Sequence, residues 1–377
     1  MKVAIVHDWL TLTGGAERVL EQILDLFPDA DLFCTVCFLP EEDRGLIAGR
    51  NVTTSFIQKL PFARRIYRKY LPLMPIAVEQ FDLSAYDLVL SSSHAVAKGV
   101  ITGPDQVHLC YIYSPIRYAW DLQHAYLKEA GVRRLSGLMA RAILHYMRIW
   151  DVRTSNGVDR FIAISQFIAR RVRKAYGRTA SVVYPPVNIA RFRLHKQKDD
   201  YYLTASRMVP YKRMPLIVEA FAKMPERRLV VIGDGPDMDL VRAAAGANVE
   251  ILGRQSDAAM TDYMSRAKAF LYAAEEDFGI VPLEAQACGT PVIAYGRGGS
   301  LETIRGHDGP EPTGVFFPEQ SVDAIVAAVH RLDTRSIRPE DCRTNAERFS
   351  TQAFRDGLMT AVDEAMAAHH EETRLGR

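Results

Sequence analysis

Short apolar runs of strand length alternate with segments of helical periodicity along the whole chain, and this pattern restricts the fold more than any other feature. The first run is VAIVH at residues 3–7, and the helical segment AERVLEQILDLF follows it after a Gly-Gly turn. Ten further runs of this kind occur; they are LFCTVCF, YDLVLS, VHLCYIY, DRFIAIS, YYLTAS, RLVVIG, VEILG, AFLYA, PVIAY and GVFF. Strands that alternate with helices form parallel sheets through right-handed crossovers, so the pattern predicts an α/β fold.

The alternation is interrupted at Pro185-Pro186 and at the polar stretch HKQKDD of residues 195–200, and then restarts. A chain of 377 residues is expected to hold two domains. We therefore predict two Rossmann-like domains facing a cleft, over residues 1–190 and 191–350, with a last helical segment over 351–377. Ligands of open α/β sheets bind at the carboxyl ends of the strands, so the turns after the strands are the candidate sites.

Composition agrees with a cytosolic protein of ordinary globular type. Hydrophobic residues make up 48% and charged residues 24%, which argues against disorder and fibrous folds. No apolar run approaches the roughly 18 residues of a membrane helix, and the start, MKVAIVHDWL, is too short for a signal-peptide core. The net charge of +2 conceals an asymmetry, because residues 1–190 carry 23 Lys and Arg against 17 Asp and Glu, and the remainder carries 24 against 28.

The turn with the most chemistry lies in EEDFGIVPLEAQACGTPVIA. Pro282 suits the first turn of a helix, so the amides around Phe278, Gly279, Ile280 and Val281 are predicted to form an anion site at its N-terminus. Glu276 before the helix and Glu284 in its first turn flank that site, where carboxylates accept hydrogen bonds from sugar hydroxyls. The alternative is that Glu276 only complements the helix dipole and Glu284 faces solvent.

A second turn, ASRMVPYKR, places Arg207 and Lys212 after the strand YYLTA. Two cations there suit a diphosphate and stabilise it as a leaving group, although a solvated basic loop would have the same composition. A third turn has Gly298-Gly299 after the strand PVIAY, which permits close approach of the backbone to a ligand.

The first half offers two weaker candidates. Gly14 and Gly15 open the first helix and form a possible anion loop. His94 lies just past the strand YDLVLS, at the predicted ligand-binding edge, although a lone histidine is more often structural.

Several other functions lack their signals. There is no Walker A sequence, and GDGPDM at 233–238 has only two of the three glycines of a dinucleotide fingerprint, which disfavours a dehydrogenase. Asp237 and Asp239 form a DxD, but at a predicted helix start, so no metal site is expected. Cys34 and Cys37 lie in an apolar strand-like run and are interpreted as buried structural residues.

Together these turns resemble the retaining glycosyltransferases of family 4, which have the GT-B fold. The resemblance covers nearly the whole chain, and its most specific element is Glu276 with Glu284 seven intervening residues later. The stretches VHDWLTLTGGAERVLE and YIYSPIRYAWD look most like bacterial mannosyltransferases of O-antigen, capsule or exopolysaccharide synthesis. The linker departs from the family pattern, because Pro185-Pro186 stands where members often have Pro-Asn-Gly.

The resemblance implies a role for each matching position. Arg207 and Lys212 would hold the diphosphate of the donor, helped by the amides of residues 279–281 and by the Gly14-Gly15 loop. Glu284 would bind the ribose, Glu276 the donor sugar and the backbone near Gly253-Arg254 the base, while His94 would lie near the transferred sugar. The final helix would cross back onto the first domain. No metal or other cofactor is implied, since cations and a helix N-terminus stabilise the leaving group.

Residues 51–78 contain no Asp or Glu and carry basic residues among aromatic and aliphatic ones. The basic residues are Lys59, Arg64, Arg65, Arg68 and Lys69. This composition suits the surface of an anionic membrane, and we expect no nucleic-acid partner because no nucleic-acid motif accompanies it. A solvated helix face is the plainer alternative. The hypothesis is that the first domain docks on the inner face of the cell membrane to reach a lipid-linked glycan acceptor.

The predicted function is therefore transfer of a sugar from a nucleotide sugar to an acceptor hydroxyl, with GDP-mannose as the first choice of donor and a UDP-sugar as the second. The alternatives are a nucleotide-sugar epimerase of the same fold and a non-catalytic, membrane-associated scaffold. The presence of all four of Arg207, Lys212, Glu276 and Glu284 favours transfer.

Overall fold

The computed structural model describes residues 1–129, 134–334 and 336–375. The chain forms two compact units. Unit 1 consists of Met1–Tyr184 and of the chain from Phe354 onward, and unit 2 of Pro185–Ala353. Each unit has an apolar core of its own on a parallel sheet, so the predicted α/β fold with two Rossmann-like domains is confirmed.

The sheet of unit 1 is built from seven described strands. They are β1 (Val3–His7), β2 (Asp31–Cys34), β3 (Val52–Thr54), β4 (Leu88–Ser93), β5 (Val107–Ile112), β6 (Arg160–Ala163) and β7 (Ala180–Val182). Their order is β3-β2-β1-β4-β5-β6-β7, with all neighbours parallel. Every residue of β1, β4 and β5 is buried, because central strands of a parallel sheet are covered on both faces.

The helices of unit 1 before the linker are α1 (Gly15–Leu26), α2 (Ala63–Ile66), α3 (Met74–Glu79), α4 (Gln123–Glu129), α5 (Arg134–Ser155) and α6 (Gln166–Tyr176). Short 3-10 helices occur at Glu41–Ile47, Phe56–Lys59, Tyr67–Leu73 and Ala97–Gly99. Helix α1 buries Val19, Leu20, Ile23 and Leu24 on one face. The hydroxyl of Ser165 accepts the amide of Ile168 at the start of α6.

Unit 2 contains a second parallel sheet. Its strands are β8 (Tyr202–Ala205), β9 (Leu229–Ile232), β10 (Val249–Gly253), β11 (Ala269–Tyr272), β12 (Val292–Tyr295) and β13 (Gly314–Phe317). Its helices are α7 (Met214–Ala222), α8 (Met238–Ala244), α9 (Asp257–Arg266), α10 (Ile280–Ala287), α11 (Ser300–Thr303), α12 (Val322–Asp333) and α13 (Pro339–Glu347), with 3-10 helices at Ile189–Arg191 and Pro210–Lys212. The strand order is β10-β9-β8-β11-β12-β13.

The last helix, α14 (Thr351–Leu375), runs from the end of unit 2 into unit 1. There the ring of Phe354 contacts Tyr111 of β5 edge-on at 5.6 Å between centroids. Arg355 donates to Gln22 and Asp25 of α1. The C-terminal helix that packs on the first domain, which the resemblance implied, is therefore present.

In each sheet the strand order reverses direction at one pair of neighbouring strands. In unit 1 this reversal point lies between β1 and β4, and in unit 2 it lies between β8 and β11. Connections leave such a pair of strands toward opposite faces, which opens a crevice at their carboxyl ends. The two crevices are described one unit at a time below.

Candidate functional site

The cations of unit 2 and its first glutamate follow the two strands at the reversal point. Arg207 comes two residues after β8, and Lys212 ends the 3-10 helix of the same turn. Glu276 comes four residues after the end of β11, which pairs with β8. The sequence prediction that these three side chains share the carboxyl edge of one sheet is consistent with this topology.

Lys212 and Glu276 are in direct contact. The Nζ of Lys212 forms an ion pair with Oε1 of Glu276, and Oε2 of Glu276 accepts the hydroxyl of Tyr272. Nζ also lies 5.4 Å from the ring centroids of both Tyr211 and Tyr272. The two charged side chains are only 14% and 19% exposed, so their charges are less screened than on an open surface. Arg207 is exposed on the same loop.

Three glycines shape the loops that carry these side chains. A Cβ on Gly298 would lie 2.3 Å from the carbonyl oxygen of Glu276, and one on Gly299 would lie 2.4 Å from the Cα of Phe278. Likewise, a Cβ on Gly233 would lie 1.9 Å from the carbonyl oxygen of Ser206, just before Arg207. The sequence analysis noted that Gly298-Gly299 permits close approach of the backbone to a ligand, and in the structure the pair packs closely against the loop that holds Glu276.

Helix α10 begins beside this cluster. Gly279 is its N-cap with φ +90°, and the amides of Ile280 and Val281 lie in the first turn, where a helix leaves N–H groups without intrahelical partners. Phe278 is buried and its ring packs on Phe349 at 5.7 Å, which fixes the entry to the helix. Glu284 opens the second turn of α10 rather than lying in the first, because the helix starts only after Gly279.

The remaining predicted residue pair of unit 2, Gly253-Arg254, lies at the end of β10. This strand is separated from β8 by β9, so the pair lies on the same edge of the sheet as Arg207 but two strands away. Gly253 has φ +66° and open space where a Cβ would stand, and Arg254 is exposed.

In unit 1, His94 follows β4 at the corresponding reversal point. Its Nδ1 lies 2.8 Å from Oδ2 of Asp8, the residue that follows β1. Gly14 is the N-cap of α1, and its amide donates to Oε2 of Glu17 at 2.9 Å. The other oxygen of Glu17 lies 3.8 Å from Nε2 of the buried His7, so the Gly14-Gly15 loop is fixed to the end of β1.

Sequence reasoning missed Tyr272, Asp8 and Glu17. Tyr272 lies within the apolar run AFLYA, which was predicted only as a strand, and Glu17 is one of several charges on an amphipathic helix. Asp8 had a usable signal, since it is an acidic residue directly after the first predicted strand.

Metal ligation, the first two cysteines and helix hydropathy are the remaining features of the chain. Among residues 1–129, 134–334 and 336–375, no group of His, Cys, Asp and Glu side chains is arranged to hold a metal ion. Cys34 is buried, but Cys37 is only partly buried, because the regular pairing of β2 stops at Cys34. Within the described part of the chain, no helix combines the length and apolar content that crossing a membrane requires.

Comparison with known proteins gives matches over most of the chain. The family model "Glycosyltransferase Family 4" matches residues 13–191, and "Glycosyl transferases group 1" matches residues 188–349. A GDP-mannose-dependent monoacylated alpha-(1-6)-phosphatidylinositol monomannoside mannosyltransferase of Corynebacterium glutamicum is 31% identical over 212 residues, which are 48% of this chain and 54% of that protein. The chain thus spans about half the length of the curated relatives it matches.

Two solved structures are similar over nearly their full length. HepE from Anabaena in complex with UDP has a TM-score of 0.68 at 16% identity, covering 97% of this chain and 100% of that one. Sucrose-phosphate synthase from Thermosynechococcus elongatus has a TM-score of 0.69 at 18% identity, covering 98% and 100%. At these identities the likeness establishes the fold.

Proposed function

Because the chain belongs to glycosyltransferase family 4, we propose that it is a retaining hexosyltransferase that moves a sugar from a nucleoside diphosphate to an acceptor hydroxyl. The observation that carries the proposal is the cluster of Lys212 and Glu276 beside the start of α10, at the reversal point of the sheet in unit 2. It combines a cation, the first amides of a helix and a carboxylate, which suit a diphosphate and a sugar hydroxyl. GDP-mannose is the proposed donor, and a UDP-sugar is the second choice.

The residues of unit 2 would act on charge that develops as the glycosidic bond breaks. The transition state is oxocarbenium-like, and negative charge grows on the departing diphosphate. Arg207, Lys212 and the first amides of α10 stabilise that charge, a contribution that fixed donors make without reorganisation. Glu276 contacts the sugar, Glu284 the ribose hydroxyls and the backbone at Gly253-Arg254 the base.

In unit 1, the same proposal assigns the Gly14-Gly15 loop to the diphosphate and His94 to the transferred sugar. Both roles come from the resemblance to the family. The structure of unit 1 adds that each is held by a buried carboxylate, Glu17 for the loop and Asp8 for the histidine.

A thermal-shift panel of nucleotide sugars tests the donor. We expect GDP-mannose to raise the melting temperature most, since a ligand at about 100 times its Kd stabilises the folded state by about 2.7 kcal/mol. GDP, UDP-glucose and free mannose are the comparisons. A Glu284→Gln variant should respond less to GDP-mannose, while a change at a partly exposed residue of the same sheet, Glu250→Gln on β10, should respond like the parent chain. A panel in which no nucleotide sugar shifts the transition would contradict the proposed function.

We further propose that unit 1 docks on an anionic membrane and takes a lipid-linked glycan as acceptor. The five basic residues Lys59, Arg64, Arg65, Arg68 and Lys69 are all exposed. Four apolar side chains are exposed among them, and these are Phe56, Phe62, Leu73 and Ile76. We call these nine residues the basic–apolar surface. Basic heads with apolar neighbours match the boundary between lipid headgroups and acyl chains.

Phe62 is the most informative member of the basic–apolar surface. It is 75% exposed and has φ +56°, the left-handed region that a bulky side chain rarely adopts. Such a conformation costs roughly 1–2 kcal/mol. An aromatic ring that faces solvent contributes little burial energy to offset that cost. A partner that buries the ring accounts for both features.

Vesicle flotation tests the docking surface. The parent chain should float with phosphatidylglycerol vesicles at low salt and not with phosphatidylcholine vesicles. Changing Lys59, Arg64 and Arg65 to Gln should weaken binding by about 100-fold, given about 1 kcal/mol per charge near the membrane. The matched control changes three exposed basic residues of unit 2, Lys196, Lys223 and Arg242, to Gln. Equal flotation of the two triple variants would overturn the assignment.

A further inference from the structure

A buried carboxylate joins the ends of the two strands at the reversal point of unit 1. Asp8 has no exposed surface. Its Oδ1 accepts the amides of Val96 and Ala97 at 2.5 and 2.7 Å, and its Oδ2 accepts those of His94 and Ala95 at 2.6 and 3.0 Å. The Nδ1 of His94 lies 2.8 Å from Oδ2 in an ion-pair contact, so four backbone amides donate to this carboxylate and one ring nitrogen faces it. These charge-assisted bonds fix the turn after β4 to the end of β1.

The ring of His94 is held on several sides but remains accessible. Trp9 contacts it edge-on at 4.6 Å between centroids, and the rings of His7 and Tyr113 are each 6.3 Å away. Its side chain is 31% exposed. Because Nδ1 is committed to Asp8, Nε2 is the ring nitrogen left for another partner.

The two carboxylates near His94 are held in the ionised form. Burial raises the pKa of Asp8, but the charge of His94 and its hydrogen bond hold that pKa well below its usual range. Burial also raises the pKa of Glu17 on α1, while the hydrogen bond and charge of His7 leave it below its ordinary value.

These carboxylates act in turn on the histidine. Burial lowers the pKa of His94, the charge and hydrogen bond of Asp8 raise it, Glu17 adds to the increase, and Arg117 after β5 opposes it. The outcome is a pKa above the ordinary value. Two further titratable rings face His94, those of His7 and Tyr113. Tyr113 is a neutral phenol because burial raises its pKa. The surroundings of His94 therefore favour a positive charge on the ring.

We propose that Asp8 is a positioning residue that holds His94 by Nδ1 and keeps its imidazole a cation, so that Nε2–H donates to an oxygen of the sugar donor. This inference rests on the proposed glycosyltransferase function. A doubly protonated ring has no lone pair with which to accept a proton. His94 therefore serves as a charged hydrogen-bond donor and not as a base, and transfer declines as the pH rises through its pKa.

Histidine NMR tests the charge without any assay of transfer. The signal of His94 among the ten histidines is assigned by its loss in His94→Gln. We expect it to titrate above 6.5 in the parent chain and about 1–3 units lower in Asp8→Asn, the range expected for loss of one adjacent opposite charge. His108 is the internal control, because burial lowers its pKa to about 4 and Asp8 is not among its causes. Titration of parental His94 at or below 6.5 overturns the proposal.

Asp8→Asn places an amide NH2, itself a donor, among four N–H donors, and this variant could misfold for that reason. A second variant therefore tests the same charge effect at another residue. Glu17→Gln keeps an oxygen for the amide of Gly14 and should lower the pKa of His94 by a smaller amount in the same direction. An unchanged pKa of His94 in both folded variants overturns the proposal.

The activity readout is the alkaline limb of the kcat/KM profile, which should move to lower pH in Asp8→Asn and Glu17→Gln by the same amounts as the NMR titration. A merely structural role would lower activity equally at every pH. A profile that rises through the pKa of His94, as for a base, overturns the assignment. A chain that transfers no sugar at any pH contradicts the proposed function instead, while the NMR titration still decides the charge of His94.

Discussion

A Lys212→Ala variant is expected to lose about 10²–10³-fold in kcat/KM for sugar transfer, the usual cost of removing one group that stabilises charge in the transition state. The Nζ of Lys212 pairs with Glu276 and lies in a setting where its charge is only partly screened. We expect the fold to persist, because Glu276 keeps the hydrogen bond from Tyr272. Steady-state kinetics with the donor found in the thermal-shift panel provide the measurement.

Lys223→Ala is the matched control for this change. Lys223 also forms an ion pair in unit 2, with Asp323 at 3.0 Å, but both side chains are mostly exposed. Its removal should leave kcat/KM within about twofold, as expected for a surface ion pair. If Lys212→Ala retained more than half of the parental kcat/KM while its melting temperature was unchanged, the diphosphate would have to be held elsewhere.

Most of the fold could be predicted from the sequence, because its central strands are apolar on both faces and therefore stand out as runs. All six predicted strands of unit 2 are present. The edge strands β3 and β7 were missed, since each has three residues, all at least partly exposed, and no apolar run marks them. The run LFCTVCF was predicted as one strand, but its pairing with β1 stops at Cys34 and resumes only as a single bridge between Leu10 and Cys37.

The candidate site was predictable where chemistry follows directly from residue type. Arg207, Lys212 and Glu276 are charged residues in turns after strands, so the topology alone places them at one edge. The partners of these residues were not predictable, because the contact between Lys212 and Glu276 joins residues 64 positions apart in sequence. The clearest gap is Asp8, whose partners come from the turn after β4, 86 to 89 positions later.

A second buried ion pair in unit 1 is not part of the candidate site. Lys98 and Asp151 are 1% and 0% exposed, with Nζ and Oδ1 2.6 Å apart. Nζ also donates to the hydroxyl of Thr154, and Oδ2 of Asp151 accepts Nε1 of Trp120 and the hydroxyl of Tyr176. The pair thus ties the turn after β4 to α5 and α6. Removing one partner leaves the other charge buried and uncompensated, which typically costs about 3–5 kcal/mol.

Asp151→Asn should therefore destabilise unit 1 by about 3–5 kcal/mol, although it preserves the shape of the side chain. All three tryptophans, Trp9, Trp120 and Trp150, belong to unit 1, so the midpoint of urea unfolding followed by tryptophan fluorescence reports on this unit alone. The exposed pair of Arg160 with Glu364 supplies the control, since Glu364→Ala should cost less than about 1 kcal/mol. Because both charges are removed together, the double variant Lys98→Met, Asp151→Asn should recover part of the loss. A double variant as unstable as the sum of its singles would show that the hydrogen bonds of Asp151, rather than its charge, stabilise this part of the fold.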